Sequence, residues 1–401
     1  MSDAATGRDS AWTVFLVFLR LGLTSFGGPV AHLSYFREEF VGRRGWLAER
    51  SYADLVALCQ FLPGPASSQV GIGIGYARAG FHGALAAWAG FTFPSALAMI
   101  LFALGMQNWG GIPHGALHGL KVVAVAVVAQ ALWGMMRNLC PRLTHKALML
   151  AAALFLLALP SAWNQFLAIL AAALAGRWLF AGQADAEPLP ALAPMNRSVA
   201  LGLLVVCALL LASLPVLASA SGNATLAMID VFYRAGALVF GGGHVMLPLL
   251  QAEVVPPGWV DNDTFLAGYG AAQALPGPLF TFAAFLGAAA SGPTGSWVGG
   301  MVALAAIFVP AFLLVLGALP FWDRLRTNRS ARAALTGVNA AVVGVLLAAF
   351  CDPVWTSAIH GPADLALAML ALLALGRFKL PPWLVVIATA ALASVVPVVL
   401  G

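Results

Sequence analysis

Apolar runs about as long as a bilayer is thick follow one another along almost the entire chain. Most are 18–27 residues long, and a helix needs roughly 20 apolar residues to cross a membrane. Charged residues make up only 9% of the sequence, against about 25% in soluble domains. No soluble fold could cover so much apolar surface. The sequence therefore predicts an all-α polytopic membrane protein, and the lack of alternating ten-residue strands argues against a barrel.

Thirteen apolar segments are expected, and two of them, 146–160 and 363–376, are short enough to be incomplete spans. A polar stretch, 182–197, holds three prolines and two acids and is typical of a linker between helices. The rough segment boundaries are 11–32, 52–77, 82–107, 116–138, 146–160, 162–180, 198–220, 228–250, 264–290, 295–319, 332–355, 363–376 and 381–400.

The sequence before this linker is repeated after it. The matches occur in the same order in both parts, at spacings of 213 to 216 residues, and a small gap near the end increases the spacing of the last match. So many matches in one order are hard to obtain by chance, so we interpret them as a duplication. We predict an N-terminal unit at 1–181, the linker, a connecting helix at 198–220 and a C-terminal unit at 228–401. The matched positions are Arg20 and Arg234, Phe26-Gly27-Gly28 and Phe240-Gly241-Gly242, Glu39 and Glu253, Trp46 and Trp259, Gln60 and Gln273, Pro63-Gly64-Pro65 and Pro276-Gly277-Pro278, Pro94 and Pro310, and Gly119 and Gly337.

The number of spans decides the relative orientation of the two units. Six spans, one unmatched helix and six more would place the second unit upside down, which is the inverted-repeat plan of many secondary transporters. If 52–77 and 264–290 were instead re-entrant, each unit would have five crossings and both would point the same way.

The distribution of basic residues favours a cytoplasmic N-terminus and a periplasmic C-terminus. With thirteen spans, most arginines and lysines in the loops would lie on the N-terminal side. The exception would be the first loop, which would place four basic residues outside: Arg37, Arg43, Arg44 and Arg50.

Arg20 and Arg234 are the strongest candidates for a binding function. Each lies well inside an apolar segment, where a charged side chain costs at least roughly 2.5–3.5 kcal/mol, and the two match in the repeat. A pair of guanidinium groups facing one cavity would suit a tetrahedral oxyanion. The alternatives are a snorkelling arginine or one that is paired with a buried glutamate.

Interrupted helices provide a second group of candidates. The glycines Gly27-Gly28, followed by Pro29, and Gly241-Gly242 could leave backbone N–H groups free to bind an anion, or could simply allow close helix packing. The Pro-Gly-Pro breaks need protein or water around them, because lipid cannot satisfy freed backbone groups. The side-chain amides of Gln60 and Gln273 precede these breaks and can donate hydrogen bonds. A simple kink remains the alternative at both breaks.

Three further residues are candidates for proton coupling: His244, Glu39 and Glu253. A membrane histidine can carry protons but can equally be a satisfied polar side chain. The four cysteines are scattered and no Cys/His cluster is present, so we expect neither a metal, a cofactor nor a disulfide framework. No P-loop, HExxH or GxSxG motif is present, so neither ATP hydrolysis nor an enzyme is expected.

Two copies of Phe-Gly-Gly followed by Gln-x-Leu-Pro-Gly-Pro resemble the chromate ion transporter family in its long, two-domain form. The resemblance covers essentially the whole chain. It rests on Phe26–Pro29 with Gln60–Pro65, and on Phe240–Gly243 with Gln273–Pro278. It implies a bacterial inner-membrane protein that exports chromate, confers chromate resistance and is inhibited by the similar dianion sulfate. Transport or channel conduction of sulfate or another anion is the alternative. We expect a small oxyanion and the lipid bilayer as partners, no nucleic acid, and a homodimer as one option for assembly.

Overall fold

The computed structural model describes residues 9–108, 114–159, 162–180, 195–240, 242–292 and 294–400. These residues form helices joined by turns and contain no strand. Five of the described helices are long and apolar enough to cross a membrane: Ala66–Gln107, Gly115–Leu139, Arg197–Ser221, Trp297–Phe321 and Arg329–Trp355. The all-α polytopic membrane architecture is thus confirmed, whereas the predicted total of about thirteen spanning helices is not.

The helices are numbered in chain order, and α4 changes direction at Ala79 and Gly80, which divides it into α4a (66–78) and α4b (81–108). Their bounds are α1 Ala11–Thr24, α2 Gly28–Arg37, α3 Glu49–Phe61, α4 Ala66–Asn108, α5 His114–Leu139, α6 Leu143–Ala158, α7 Ala162–Leu179, α8 Arg197–Ser221, α9 Ala224–Leu238, α10 Met246–Val254, α11 Asn262–Ala272, α12 Phe282–Ala289, α13 Trp297–Ala318, α14 Trp322–Thr327, α15 Arg329–Ala349, α16 Pro362–Gly376 and α17 Pro382–Leu400.

The first segment of each half is a helical hairpin. In the first half, the Phe18 ring lies 5.0 Å from the Phe40 ring between their centroids, although a straight helix would separate these residues by about 33 Å. In the second half, Arg234 contacts Glu253 at 2.8 Å, a pair that a straight helix would hold about 28 Å apart. Helices α1 and α2 therefore fold back on each other, and so do α9 and α10.

The Pro-Gly-Pro breaks also form the tips of hairpins. The Leu55 side chain of α3 packs against Gly73 of α4a, and the rings of Phe265 in α11 and Phe282 in α12 lie 5.1 Å apart. The choice that the sequence left open, between a kinked spanning helix and a hairpin, is therefore settled in favour of hairpins. A Pro-Gly-Pro turn reverses the chain here because Gly64 and Gly277 adopt positive φ angles of 114° and 92°.

Both hairpins of the first half open on the same face of the molecule. Arg78, at the end of α4a, pairs with Asp9 before α1 at 2.6 Å and lies over the Trp46 ring, which follows α2. The loop at 37–50 therefore lies beside the start of α1. Its predicted position on the opposite side was wrong, because a hairpin returns the chain to the face from which it started. We call this the basic face.

Matched helices of the two halves pack in opposite directions. In α4b, Trp88 contacts Phe312 of α13, and Ile100 contacts Gly300, so the residue numbers rise along one helix as they fall along the other. An inverted repeat requires this antiparallel packing. Each hairpin starts and ends on the same face of the molecule. Helix α8, between the two halves, runs from one face to the other.

The last helices of each half pack on the other half. Helices α16 and α17 contact α5, whereas α6 and α7 contact α15. Small residues allow these close approaches: Gly119 meets the backbone of α17 at Ala390, and Gly337 meets α7 at Ala172 and Gly176. The two halves are therefore one interwoven unit, with the four hairpin tips at its centre.

Candidate functional site

The hairpin tips of the two halves are joined by a crossed pair of backbone hydrogen bonds. The N–H of Gly64 donates to the Val239 carbonyl at 2.6 Å, and the N–H of Gly277 donates to the Ser25 carbonyl at 2.9 Å. Val239 matches Ser25, and Gly277 matches Gly64, so the two bonds are one contact formed twice. Each Pro-Gly-Pro tip thus satisfies the break in the first hairpin of the other half, as the low polarity of a membrane interior demands.

Only glycine fits at this crossing. A Cβ on Gly277 would lie 2.8 Å from Ser95 Oγ and 3.1 Å from the Phe91 carbonyl oxygen. A Cβ on Gly64 would lie 2.9 Å from Gln69 Nε2. The four prolines beside these glycines, Pro63, Pro65, Pro276 and Pro278, lie in the turns at the crossing.

Polar side chains surround the crossing on the first-half side. His32 connects two hairpins, since its Nε2 donates to the Ser25 carbonyl at 3.2 Å and its Nδ1 lies 3.4 Å from Ser67 Oγ. Gln69 Nε2 donates to the Pro63 carbonyl at 2.8 Å. We call the following set, each side chain of which is buried, the polar cluster: Ser25, His32, Ser67, Ser68, Gln69, Thr92 and Ser95.

Several atoms of the polar cluster have no hydrogen-bond partner in the described part of the chain. They are Ser25 Oγ, Ser68 Oγ, Gln69 Oε1 and Thr92 Oγ1. Outside the cluster, the amide nitrogen Nε2 of Gln273 also lacks a partner. A buried polar group without a partner costs about 1–3 kcal/mol, and such a group normally indicates an ion, a ligand or water. The centre of the molecule is therefore equipped to hold a polar ligand.

The matched positions in the second half are mostly apolar. Phe282 replaces Gln69, and its ring packs against those of Phe265, Tyr269 and Phe285. The positions that match the polar cluster are, in order, Val239, Met246, Phe280, Thr281, Phe282, Phe308 and Ala311. The two halves therefore have the same backbone arrangement at the crossing but different side chains around it.

The two arginines predicted to form a clamp have different surroundings. Arg234 is 14% exposed and donates to Asp230 and Glu253 at distances down to 2.8 Å. Arg234 is therefore an arginine that is paired with acids, which was the alternative to a free cation in the binding clamp. Asp230 was missed by the sequence reasoning, although an acid four residues before an arginine in an apolar helix is the signal for such a pair.

Arg20 is exposed on α1 and forms no ion pair among the described residues. Its matched acid, Glu39, instead accepts from Arg44 at 2.7 Å and from Arg43 at 3.5 Å. Arginines that have no match in the second half thus bind the acid directly, and Arg20 contributes to the environment of Glu39 only through its charge. Of the two predicted cations, only Arg234 forms an ion pair among the described residues.

The remaining candidates are distributed around the crossing. Gly27, Gly28 and Gly242 all have positive φ angles at the tips of the first hairpins, and Pro29 lies in the first turn of α2. Gly241 lies outside the described residues. Gln60 is exposed and Gln273 is half-buried at the second tip.

The proton-coupling candidates all have partners. His244 is within 2.7 Å of the Tyr269 hydroxyl through Nδ1, and both glutamates are held by arginines. Sequence reasoning also missed the polar cluster, whose visible signal was the run Ser67-Ser68-Gln69 directly after a helix break in an apolar segment.

Comparisons with known proteins agree on one family. The profile of the family described as Chromate transporter matches residues 12–177 and 226–395. The chromate transport protein of Pseudomonas aeruginosa is 29% identical over 359 residues, which cover 87% of this chain and 82% of that protein. The chromate transport protein of Cupriavidus metallidurans is 27% identical over 397 residues, which cover 95% and 92%. A probable chromate transport protein of Synechococcus elongatus is 28% identical over 396 residues, which cover 94% and 93%. No solved structure matches the chain.

Proposed function

The chain belongs to the chromate transporter family, and from that premise we propose that it is a secondary transporter that exports chromate across a bacterial inner membrane and so confers chromate resistance. The observation that carries this proposal is the buried polar cluster with its unpartnered atoms at the crossing of four hairpin tips. Transporters of inverted plan bind their substrates at broken helices near the midplane, and the crossing is such a place.

The chemistry of the cluster suits a tetrahedral oxyanion. Serine and threonine hydroxyls and the amide of Gln273 can each donate a hydrogen bond to an oxygen of the anion. Arg20, on α1 of the hairpin that carries Ser25 and His32, is proposed to add positive potential, since it forms no ion pair among the described residues. Sulfate has the same charge and shape as chromate, so we expect it to compete for this site.

The hairpin geometry strengthens the proposed orientation. Because the loop at 37–50 returns to the face where α1 begins, its four arginines join the other loop cations on one face. Basic loops remain in the cytoplasm, so the basic face is proposed to be cytoplasmic and the C-terminus periplasmic. Outward movement of a dianion then gains about 2 × 2.3 kcal/mol per 100 mV of inside-negative potential. Export in this direction needs neither ATP nor a coupled ion.

The crossed bonds suggest how access could alternate. Each bond joins hairpins that open on opposite faces, so separating one pair of tips would expose the crossing to one face while the other pair stays closed. The two Pro-Gly-Pro tips are proposed to act as these two gates. Symmetry in the backbone would make the two open states similar in energy, as an exchange between them requires.

Chromate uptake into inverted membrane vesicles tests the proposal. Vesicles that contain the protein should accumulate chromate with saturable kinetics, and sulfate in the same assay should inhibit it. Uptake no greater than in vesicles without the protein would refute chromate export. A current that rises linearly with voltage and does not saturate would indicate a channel instead, and uptake of sulfate alone would indicate a sulfate transporter.

A further inference from the structure

Two histidines and an aspartate meet on the face opposite the basic face. His118 lies near the start of α5, and Asp364 lies in the first turn of α16. His360 precedes α16, and its ring is stacked beside that of His118, with 5.7 Å between the centroids and 26° between the ring planes. One ligand atom from each of the three residues lies within 4.8 Å of the other two. We call this set the His-His-Asp triad.

The aspartate of the triad is held in a fixed orientation by the backbone. Its Oδ2 accepts from the N–H groups of His360 and Gly361 at 2.9 and 3.2 Å. Its Oδ1 is directed instead to His118 Nε2, at 2.7 Å. Support of one carboxylate oxygen by N–H donors is the arrangement that orients a metal-binding carboxylate, and it leaves the second oxygen for a ligand.

The donor set specifies the class of ion. Two imidazole nitrogens and one carboxylate oxygen favour Zn²⁺ and similar divalent transition metals over Mg²⁺ or Ca²⁺, which prefer oxygen ligands alone. The part-exposed position leaves room for water as a fourth ligand. In a metal-bound site the two atoms of this contact, His118 Nε2 and Asp364 Oδ1, would both bind the ion instead of each other.

We propose that the His-His-Asp triad is a binding site for Zn²⁺ or a related divalent transition metal. The ion would join α5, in the first half, to the start of α16, in the second half, on the face away from the basic loops. Sequence reasoning expected no metal, because the three ligands lie at 118, 360 and 364 and form no motif. Only the packing of α16 on α5 brings them together.

Titration of the purified, chelator-treated full chain with ZnCl₂ in detergent tests this proposal. Calorimetry should give one equivalent per chain, and Co²⁺ should give the visible absorption bands of a site with nitrogen ligands. The His360→Ala variant should bind about 10–100-fold more weakly. The same change at His82, an exposed histidine distant from the triad, serves as the matched control and should leave binding unchanged.

Three results would overturn the proposal. They are no binding by the wild type, equal binding by wild type and His360→Ala, or equal weakening by His82→Ala. His360 is the preferred position because its side chain is exposed, so its truncation removes little packing and the variant should fold. None of these measurements depends on transport, so the metal site can fail while the proposed export stands, and the reverse.

Discussion

The two halves place the same hairpin tips at the centre of the molecule but surround them with different side chains. In the first half the surroundings are hydroxyls, an imidazole and an amide, several of them without partners. In the second half all the matched positions except Thr281 are filled by buried apolar side chains. The two halves therefore share the backbone crossing, while most of the buried polar side chains around it belong to the first half.

The first hairpins of the two halves also differ in the ion pairing of their matched arginines. Arg234 is bound by two acids and has become part of the packing between α9 and α10. The matched acid of the first half, Glu39, is contacted by Arg43 and Arg44 instead of by Arg20. The charged side chains of the first hairpin thus form an ion pair across α9 and α10 in the second half, but no such pair between Arg20 and Glu39 in the first.

The largest effect is expected at Gly277, whose turn in the second half contacts the first half. Gly277→Ala should abolish measurable chromate uptake into inverted vesicles, because the new Cβ collides with Ser95 Oγ and the φ angle is strained. Gly134→Ala is the matched control, since nothing lies within 4 Å of the Cβ position there. Equal uptake by the two variants would mean that the crossing is not essential.

The next largest effect is expected when polar residues of the cluster are replaced by apolar ones, and the matched position in the second half provides the comparison. The double variant Ser68→Ala/Gln69→Leu should reduce the initial uptake rate at least about tenfold, which corresponds to about 1.4 kcal/mol of lost interaction. Phe282→Leu changes the residue that matches Gln69 and should reduce uptake less than about twofold. Similar losses in both variants would contradict the assignment of binding to the first half.

The two arginines should separate transport from stability. Arg20→Gln should lower uptake several-fold and leave the thermal unfolding temperature in detergent unchanged, because the side chain is exposed and forms no ion pair with any residue that the structure describes. Arg234→Gln should lower the unfolding temperature, because Asp230 and Glu253 would be left buried without their cation. Adding Asp230→Asn and Glu253→Gln should restore part of that loss. An unfolding temperature that falls only in Arg20→Gln would reverse this distinction.

The smallest effect is expected at His244. This residue lies against the Tyr269 hydroxyl and has no polar match in the first half, so His244→Asn should change uptake less than about twofold. The pH dependence of uptake, measured between pH 6 and pH 8, should keep its shape. A flattened profile would show that His244 carries a coupled proton after all.

Local signals in the sequence predicted the all-α membrane class correctly, because the apolar length of a span is a property of a short stretch of chain. They could not decide between a kink and a hairpin at Pro-Gly-Pro, because both use the same local backbone. The loop at 37–50 was misplaced for a related reason, since the break at Gly27-Gly28 was expected inside one spanning segment, whereas α1 and α2 form a hairpin that returns the chain to the face where α1 begins. The pairing of Arg234 was anticipated only as an alternative, because the position of Asp230 beside it was overlooked.

The sequence by itself determined that the chain spans a membrane as helices and breaks them twice in the same way, because apolar length and Pro-Gly-Pro turns act over a few residues. Only the tertiary structure decided which breaks meet. The bond from Gly64 to Val239 joins residues 175 positions apart, and the His-His-Asp triad joins helices from different halves. Such contacts depend on how helices cross and pack, and no local pattern in the chain records that geometry.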